Sequence, residues 1–552
     1  METWVIATSL IFLYLILTLI LGIVANRMMT VDMEDFLLYG RRAGFIVLYL
    51  TVVASFHSVF AFLGSGGFFY THGVGFWAAG TWTLLVGAIT YVIGTRIWAL
   101  GKAFGYITPA DMLADFYESE AVRIAVAVVS VVFTILYIQV QAQGLGYIIN
   151  VASDGRIGLE LGTLILLVVA AVYLMAGGLR AVYWTDVLQG IWMYLAIWVG
   201  ALVLSYELFG GPLELWRAVS EQRPDLLSLP GPKGFFTPGM WIGMTITLSF
   251  GVVFQPHMMI RYYTAIDGKT LKLLGATTPI YLMTLFIPAA LIGMGGAIVM
   301  PGLEGPAADR IFPELLFAYA SPWLTGIILA GATAAAMSTL DSILHANMTV
   351  LTRDVYQRYI NPDESQAHYV WVGRGIVLGL LVVGYYLSVL TLDFLVVLVT
   401  LSGAGTLQLM PAILGVCFPG GRTLTRAGVL AGISAGLAAL YITLVVSPHP
   451  SGCMARSGLF SSILRWQLVC RLLRHRPRGK QSSASMVNWS ASSTERRSKY
   501  VTDQLDHPLH SRSDCLRASL LAKGDSTATG WAHTCRSGAR IVGYRGRSDA
   551  LS

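Results

Sequence analysis

Long apolar segments recur along the first 447 residues of this chain, and they constrain its fold more than any other feature of the sequence. A helix that crosses the hydrocarbon core of a bilayer needs about 20 apolar residues. Charged residues make up only 12% of the chain, against about 25% in a typical soluble domain. The sequence therefore predicts an all-α polytopic membrane protein with twelve spans, near 3–26, 43–71, 74–99, 121–151, 159–177, 183–206, 238–260, 274–299, 315–350, 370–389, 393–417 and 428–446.

Basic residues between the spans indicate the orientation of the chain. The first span has no small-residue cleavage site behind it, so we interpret it as an uncleaved anchor. Lys and Arg concentrate in cytoplasmic loops, which predicts an N-terminus outside. The inner loops then carry Arg27, Arg41, Arg42, Arg96, Lys102, Arg123, Arg180, Arg261, Lys269, Lys272, Arg353, Arg358, Arg374, Arg422 and Arg426, and the outer loops carry only Arg156, Arg217, Arg223, Lys233 and Arg310.

Residues 451–552 differ in character from the rest of the chain. They hold 17 Lys and Arg against 6 Asp and Glu, whereas residues 1–450 hold 20 against 24. The net charge of +7 therefore belongs to this basic, Ser/Arg-rich tail and does not indicate nucleic-acid binding. We interpret the tail as translated out of frame in place of a final span, and a disordered regulatory tail is the alternative.

Two spans contain residues that interrupt a helix. The second span contains "FLGSGGFFYTHG", with four glycines, and the seventh contains "SFGVVFQPHMM", with Gly251 and Pro256. Glycine weakens a helix and proline removes a backbone donor, so both segments predict breaks. The breaks lie five spans apart, as in two five-helix repeats inverted in the membrane, with a binding site at the broken helices. Close helix packing at glycine is the alternative for either break alone.

The ninth span carries hydroxyl groups near the middle of the bilayer. Ser338 and Thr339 follow Ala335 by three and four residues, so the carbonyl of Ala335 lies beside both hydroxyls. A hard cation prefers oxygen ligands, and the second span offers Ala54, His57 and Ser58 at a similar depth. We predict an ion half-site on each helix. The alternative is that the two hydroxyls only donate hydrogen bonds to backbone carbonyls of their own helix (back-bonding).

Polar residues continue from this position along one face of the ninth span. They follow at helical spacing as Ser338, Asp341 or Ser342, His345, Thr349 and Arg353. An ionised Asp at the centre of a bilayer costs about 2.5–3.5 kcal/mol on insertion scales. A stripe that lines an aqueous exit avoids this cost, so we predict that Asp341 lies on an ion pathway to the inner side.

These segments resemble the sodium:solute symporter family. The similarity covers about 1–447 and includes "YLMAGGLRAVYWTDVLQG" at 173–190, "FQPHMMIRYY" and "AAAMSTLDS". The resemblance implies leucine-transporter-type inverted five-helix repeats with an extra N-terminal helix. It places Na⁺ on the carbonyls of Ala54, His57 and Ala335 and the hydroxyls of Ser338 and Thr339. Asp186 then matches a family carboxylate near the inner ion path, and capping or pairing with Arg180 at a helix end is the alternative.

Some positions depart from the proline-carrying branch of that family. This branch has an acidic residue where Phe56 stands and aromatic residues where Val252 and Leu248 stand, which argues against proline as the solute. Candidate solute contacts are Ser55, Ser58, Gln141 and Gln255.

The sequence as a whole predicts a secondary active transporter of a bacterial inner membrane, and not an enzyme. No Ser-His-Asp set, Walker loop or Cys/His metal cluster is evident. Inward Na⁺ flow would drive uptake of a small organic solute, carboxylate or amino-acid-like, by alternating access and without an organic cofactor. A proton-coupled symporter and a membrane sensor with a transporter fold remain as alternatives.

This interpretation divides the chain into five parts. They are the N-terminal extra helix and inner loop (1–42), the first five-helix repeat (43–236), the second, inverted repeat (237–420), an additional C-terminal helix (421–450) and the tail (451–552).

Overall fold

The computed structural model describes residues 2–27, 33–390, 393–418 and 424–446, which are almost entirely helical. The predicted tail lies outside the described residues. The α-helices are α1 (Thr3–Arg27), α2 (Met33–Leu38), α3 (Phe45–Phe56), α4 (Ser65–His72), α5 (Ala78–Ile89), α6 (Thr95–Phe104), α7 (Pro109–Phe116), α8 (Glu120–Ala152), α9 (Leu159–Phe209), α10 (Pro212–Gln222), α11 (Pro238–Ile246), α12 (Pro256–Thr264), α13 (Gly268–Val299), α14 (Ile311–Tyr319), α15 (Pro322–Val350), α16 (Gln366–Val389), α17 (Leu395–Thr406), α18 (Met410–Cys417) and α19 (Arg426–Val446).

Helix covers every one of the twelve predicted spans, although not always as one continuous element. Within the described residues, eight helical stretches are long and apolar enough to cross a membrane, and Phe45–Phe56, Leu159–Met175 and Arg426–Ile442 are shorter apolar helices. The count differs from twelve because Phe60–Phe104 joins parts of the second and third predicted spans, and because the fifth and twelfth lie in the shorter helices Leu159–Met175 and Arg426–Ile442. The broken seventh span is divided into pieces too short to count.

The first break separates α3 from α4. Helix α3 ends at Phe56, and His57 adopts a non-helical conformation with φ −99° and ψ 83°. A π-helical turn, Phe60–Gly64, then leads into α4. The interruption is therefore where the glycine-rich segment and its preceding residues predict it.

The second break separates α11 from α12. A π-helical turn, Thr247–Gly251, follows α11, and Gln255 is extended with φ −64° and ψ 145° before Pro256 begins α12. Proline is well suited to the first position of a helix, because the backbone donor it lacks has no helical partner there. Both predicted breaks are thus present, and each has a π-helical turn beside it.

Helix α17 packs against both broken helices. A Cβ on Gly64 would lie 3.1 Å from Leu395 Cβ, and a Cβ on Gly251 would lie 2.2 Å from the carbonyl oxygen of Gly403. Thr406 Oγ1 also donates to the Gly251 carbonyl at 2.7 Å. The helix therefore contacts the segment that follows the first break and the segment that precedes the second.

The predicted start of the ninth span at residue 315 is wrong. Residues Ile311–Tyr319 form the separate helix α14, and Ala320 is extended with φ −91° and ψ 159°. Pro322 at the first turn then begins α15. The apolar character of the sequence continues through this turn, so hydropathy alone does not mark it.

The fifth and sixth predicted spans form one helical element, α9, with a sharp kink. Gly178 has φ 55° and ψ −150°, which separates the two halves of this 51-residue element. A Cβ at this position would lie 2.4 Å from the ring of Phe36. Glycine is therefore required here both for its backbone conformation and for space.

Candidate ion and solute sites

The hydroxyls of the ninth span lie against carbonyl oxygens of the first broken helix. Ser338 Oγ is 3.0 Å from the Ala54 carbonyl oxygen and 3.1 Å from that of Ala335. Thr339 Oγ1 is 3.3 Å from the carbonyl oxygens of Ala54 and Ser55, and 3.4 Å from that of Ala335. The predicted half-sites on α15 and α3 therefore meet, and the expected back-bonding to Ala335 is also present.

This oxygen cluster fits a hard cation. Each hydroxyl has one proton to donate but faces two or three carbonyl oxygens, so acceptor capacity remains for a positive ion. No nitrogen or sulfur atom belongs to the set, which is the ligand preference of Na⁺-like ions. His57 lies at the end of α3, where the helical conformation stops, and such unwound carbonyls are available to coordinate an ion.

The carbonyl of Ser55 is an oxygen that sequence analysis did not assign to this cluster. Its contact to Thr339 follows from the position of α3 against α15. The Ser55 hydroxyl points elsewhere, to the Thr51 carbonyl at 2.8 Å and to Ser342 Oγ at 3.0 Å. The carbonyl and the hydroxyl of Ser55 therefore both contact α15.

A buried ion pair lies one helical turn from the oxygen cluster. Arg261 Nη2 is 3.1 Å from Asp186 Oδ2, and these side chains are 2% and 0% exposed. The same nitrogen donates to Ser342 Oγ at 2.6 Å and to Thr51 Oγ1 at 3.0 Å. Thr51 also donates to Asp186. Four elements, α3, α9, α12 and α15, are joined by this group of side chains.

Two expectations from the sequence change here. Arg261 is not a loop residue, because α12 carries it into the buried interior. Asp186 forms its ion pair with Arg261, where the sequence offered Arg180 as the alternative partner. Sequence analysis missed Arg261 as a site residue, and its position one turn after Pro256 and His257 was the available signal.

Asp341 lies on α15, between the oxygen cluster at Ser338 and Thr339 and the residue Ser342 that contacts the ion pair. Its side chain is 0% exposed, and neither carboxylate oxygen has a hydrogen-bond partner among the described residues. Asp186 Oδ1 and Gln189 Oε1, on the second half of α9, are likewise buried without a partner among the residues that the structure describes. Buried oxygens without donors are costly, and this makes the three residues candidates for contact with a ligand or an ion.

The predicted exit stripe is closed in this structure. All residues from 328 to 350 of α15 are buried. His345 Nε2 lies 3.1 Å from the Phe36 carbonyl oxygen, and Thr349 donates to the His345 carbonyl at 2.8 Å. Arg353 is 3.4 Å from Asp111 at the end of the stripe. The residues lie in the predicted order, but neighbouring elements cover them.

The remaining predicted solute contacts gather around the two breaks. Gln141 Oε1 accepts from the Val59 backbone at 3.3 Å, and Tyr137 donates to Ser58 Oγ at 3.3 Å. Gln255 Nε2 donates to Ser402 Oγ at 2.9 Å, and its Oε1 is buried without a partner in the described part of the chain. Ser58, Gln141 and Gln255 are each 0% exposed, so these side chains are closed to solvent at both breaks.

Two broken helices around buried oxygen clusters define a secondary transporter of the leucine-transporter fold. The family model "Sodium:solute symporter family" matches residues 36–436. The chain therefore belongs to this family, whose members are transporters, and the resemblance stated from the sequence is confirmed.

Curated relatives agree with the family over most of their length. An uncharacterised symporter of Bacillus subtilis, YhjB, is 25% identical over 445 residues, which cover 79% of this chain and 89% of the relative. A monocarboxylate transport permease of Rhizobium johnstonii is 26% identical and covers 74% and 82%. The sodium/proline symporter of Escherichia coli is 27% identical and covers 77% and 84%.

Solved structures confirm the predicted fold. A Na⁺-coupled sialic acid symporter, in a substrate-bound outward-open state, matches with a TM-score of 0.69 at 17% identity, over 85% of this chain and 98% of that chain. Mhp1, a nucleobase-cation-symport-1 transporter in a closed conformation, matches with a TM-score of 0.50 at 13% identity, over 83% and 99%.

Proposed function

We propose that this protein couples inward Na⁺ flow to uptake of a small organic solute by alternating access. The observation that carries the proposal is the contact of the Ser338 and Thr339 hydroxyls with carbonyl oxygens of the broken α3 helix. Sodium at this point would bind Ala54, His57, Ala335, Ser338 and Thr339, with the Ser55 carbonyl as a further oxygen. The ion thereby joins α3 to α15, and a ligand that binds one conformation better shifts the population towards it.

The buried ion pair provides the inner closure in this proposal. Arg261 and Asp186 connect both broken helices to α9 and α15 below the ion cluster. While they are joined, in this proposal, the way from Asp341 towards His345 stays closed. Movement of one helix bundle against the other would open this stripe to the cytoplasm and release the ion.

The solute binds, in our proposal, between the two breaks at Ser58, Gln141 and Gln255. The relatives' names include monocarboxylate, pantothenate and proline, all of which are carboxylic acids. The N-terminus of α12 at Pro256 faces this break, and helix N-termini favour anionic groups. We therefore propose a carboxylate or amino-acid-like solute. Phe56, Val252 and Leu248 continue to argue against proline itself.

The family and its bacterial relatives are consistent with a multi-pass plasma membrane protein. We propose a bacterial inner membrane, with the N-terminus outside as the loop charges predict. The domain division, with repeats at 43–236 and 237–420, stays part of this proposal.

The test is uptake by liposomes that contain the purified full-length chain. A panel of radiolabelled monocarboxylates, pantothenate and amino acids is offered under an inward Na⁺ gradient, and separately under a pH gradient without Na⁺. We expect at least one carboxylate to accumulate only with Na⁺. Accumulation with the pH gradient alone would establish the proton-coupled alternative, and uptake of none, with intact folding, would favour a sensor.

Variants then test the site itself. Loss of two oxygen ligands in Ser338→Ala with Thr339→Ala is expected to lower the apparent Na⁺ affinity at least tenfold. Thr333→Ala is the matched control, because Thr333 lies on the same helix, is equally buried and bonds only its own helix at Leu329 among the described contacts. Equal Na⁺ dependence of the double variant and the control would contradict the proposed ion site.

A further inference from the structure

A pocket opens between α6 and the start of α13, on the side of the protein that the loop charges predict to be cytoplasmic. Its volume is about 440 Å³, and it is lined by Thr95, Trp98, Asp267, Gly268, Lys269 and Lys272. The ion and solute sites proposed above use none of these residues. The pocket is therefore separate from both sites.

Trp98 forms the wall of the pocket that α6 provides. Its Nε1 donates to the Ala265 carbonyl at 2.9 Å, which holds the ring across the start of α13. A Cβ on Gly268 would lie 3.3 Å from this ring, and the Lys102 ammonium lies 5.2 Å from the ring centroid. Tryptophan is enriched at the boundary between the headgroups and the acyl chains of a membrane. The ring therefore indicates that the pocket lies at headgroup level.

Positive charge exceeds negative charge at the pocket. Lys269 and Lys272 line it, and Lys102 lies against its tryptophan wall. Asp267 is the one carboxylate among the lining residues, and it caps α13 by accepting from the Thr270 backbone at 2.8 Å. Three ammonium groups thus stand against one carboxylate that already has a donor. An anionic ligand would be attracted by the lysines, since the start of the helix is served by its own cap.

Exposed apolar side chains continue from the pocket along the outside of both helices. Residues seven apart lie on the same face of a helix, and such series are Leu273, Ile280 and Ile287 on α13, and Leu84 and Tyr91 on the stretch that leads to Trp98. The two stretches touch, because a Cβ on Gly275 would lie 2.7 Å from the Tyr91 backbone nitrogen. Both belong to helical stretches long and apolar enough to cross a membrane. The pocket therefore lies at the polar end of a surface that faces the bilayer.

We propose that this pocket binds the headgroup of an anionic phospholipid, whose acyl chains lie along the apolar side chains of α13. Basic pockets between membrane helices on the cytoplasmic side are suited to anionic headgroups. Such a lipid complements both parts of the surface, because its phosphodiester meets the lysines and its chains meet Leu273 and Ile280. A free phosphate would complement only the first part. The inference goes beyond the proposed function, since it requires neither Na⁺ nor a solute.

The pocket adjoins the ends of both broken helices. Helix α12 ends at Thr264, whose carbonyl accepts from the Ala43 backbone at 3.0 Å, just before α3 begins. Ile266 in turn donates to the Ala43 carbonyl at 3.0 Å, and Trp98 holds the Ala265 carbonyl between them. A lipid bound against Trp98 and Lys269 therefore stabilises the segment that ties α3 to α12, and should raise the melting temperature of the protein.

The experiment titrates the purified full-length protein in detergent with phosphatidylglycerol, and separately with phosphatidylcholine of the same acyl chains. Native mass spectrometry measures the retained lipid, and thermal unfolding measures the melting temperature. We expect phosphatidylglycerol to be retained in preference and to raise the melting temperature. Lys269→Gln with Lys272→Gln should weaken its binding at least tenfold, because each basic residue near the headgroup adds to the attraction.

Arg217→Gln with Lys233→Gln is the matched control, because it removes two exposed cations from a loop predicted to lie on the other side of the membrane. This variant should bind phosphatidylglycerol like the parent chain. Equal binding by the two double variants, or equal retention of the two lipids by the parent chain, would overturn the inference.

Asp267→Asn tests the same site by a gain of affinity, which a damaged fold would not produce. Asn caps a helix about as well as Asp, so the change removes the opposing charge and keeps the cap. We expect phosphatidylglycerol to bind several-fold more tightly, and unchanged or weaker binding would contradict the proposed site. Glycerol 3-phosphate serves as the soluble headgroup. If it alone raised the melting temperature as much as the lipid does, the ligand would be a soluble phosphate and the lipid proposal would be wrong.

Discussion

The two broken helices share one kind of interruption but present opposite chemistry at it. The first ends with the carboxyl end of α3, whose carbonyl oxygens at Ala54 and Ser55 face the hydroxyls of α15. The second resumes at Pro256 with the amino end of α12, which carries Gln255 and, further along, Arg261. Carboxyl ends of helices favour cations and amino ends favour anions. A repeated architecture thus presents a cation-favouring helix end at one break and an anion-favouring helix end at the other.

Removing Arg261 should have the largest effect on the second broken helix. In Arg261→Met the Asp186 carboxylate remains buried without its partner, which typically costs about 3–5 kcal/mol. We expect a much lower melting temperature of the purified protein and no transport. The double variant Arg261→Met with Asp186→Leu should regain stability but not transport. A single variant that melts like the parent chain would show that the pair does not hold the helices together.

Adding a methyl group to each broken helix should give unequal effects. In Gly251→Ala the new Cβ meets the Gly403 backbone oxygen at 2.2 Å, whereas in Gly64→Ala the nearest atom is a side-chain carbon at 3.1 Å. Overpacking costs about 1–3 kcal/mol, and a rigid backbone gives way less than a side chain. We expect a clear fall in stability and uptake for Gly251→Ala and a near-neutral Gly64→Ala, measured by thermal unfolding and transport. Similar losses of stability and uptake in both variants would show that the two breaks are packed equally tightly against α17.

The smallest expected effect is a change in the affinity for one ligand, solute or ion, without a change in the affinity for the other. Gln255→Ala removes the amide at the second break and should raise the apparent KM for the solute about tenfold, with the Na⁺ dependence unchanged. Thr339→Ala at the first break should do the reverse. Gln143→Ala is the matched control, because this buried amide bonds Tyr147 on its own helix. A Gln255→Ala variant that alters Na⁺ dependence alone would contradict the assignment of ion and solute to separate breaks.

Local spacing predicted the features that depend on one helix at a time. The contacts of Ser338 and Thr339 with the Ala335 carbonyl follow from spacings of three and four residues, and both breaks follow from Gly and Pro. The partner of Asp186 lies 75 residues away, and no periodicity shows that α12 turns Arg261 inwards. The contact of the Ser55 hydroxyl with Ser342 could not be predicted for the same reason, because the two residues are 287 positions apart.

The single-residue connection at Gly178 limits how the transporter can move. Because one residue joins the two halves of α9, a change in their mutual angle must be a torsion of that residue's backbone, with no loop to absorb it. The ring of Phe36 packs against this glycine, since an added Cβ would lie 2.4 Å from it, and the carbonyl of the same Phe36 lies against His345 on the predicted exit stripe. We therefore expect this joint to behave as a hinge whose bending also moves the segment that covers the stripe.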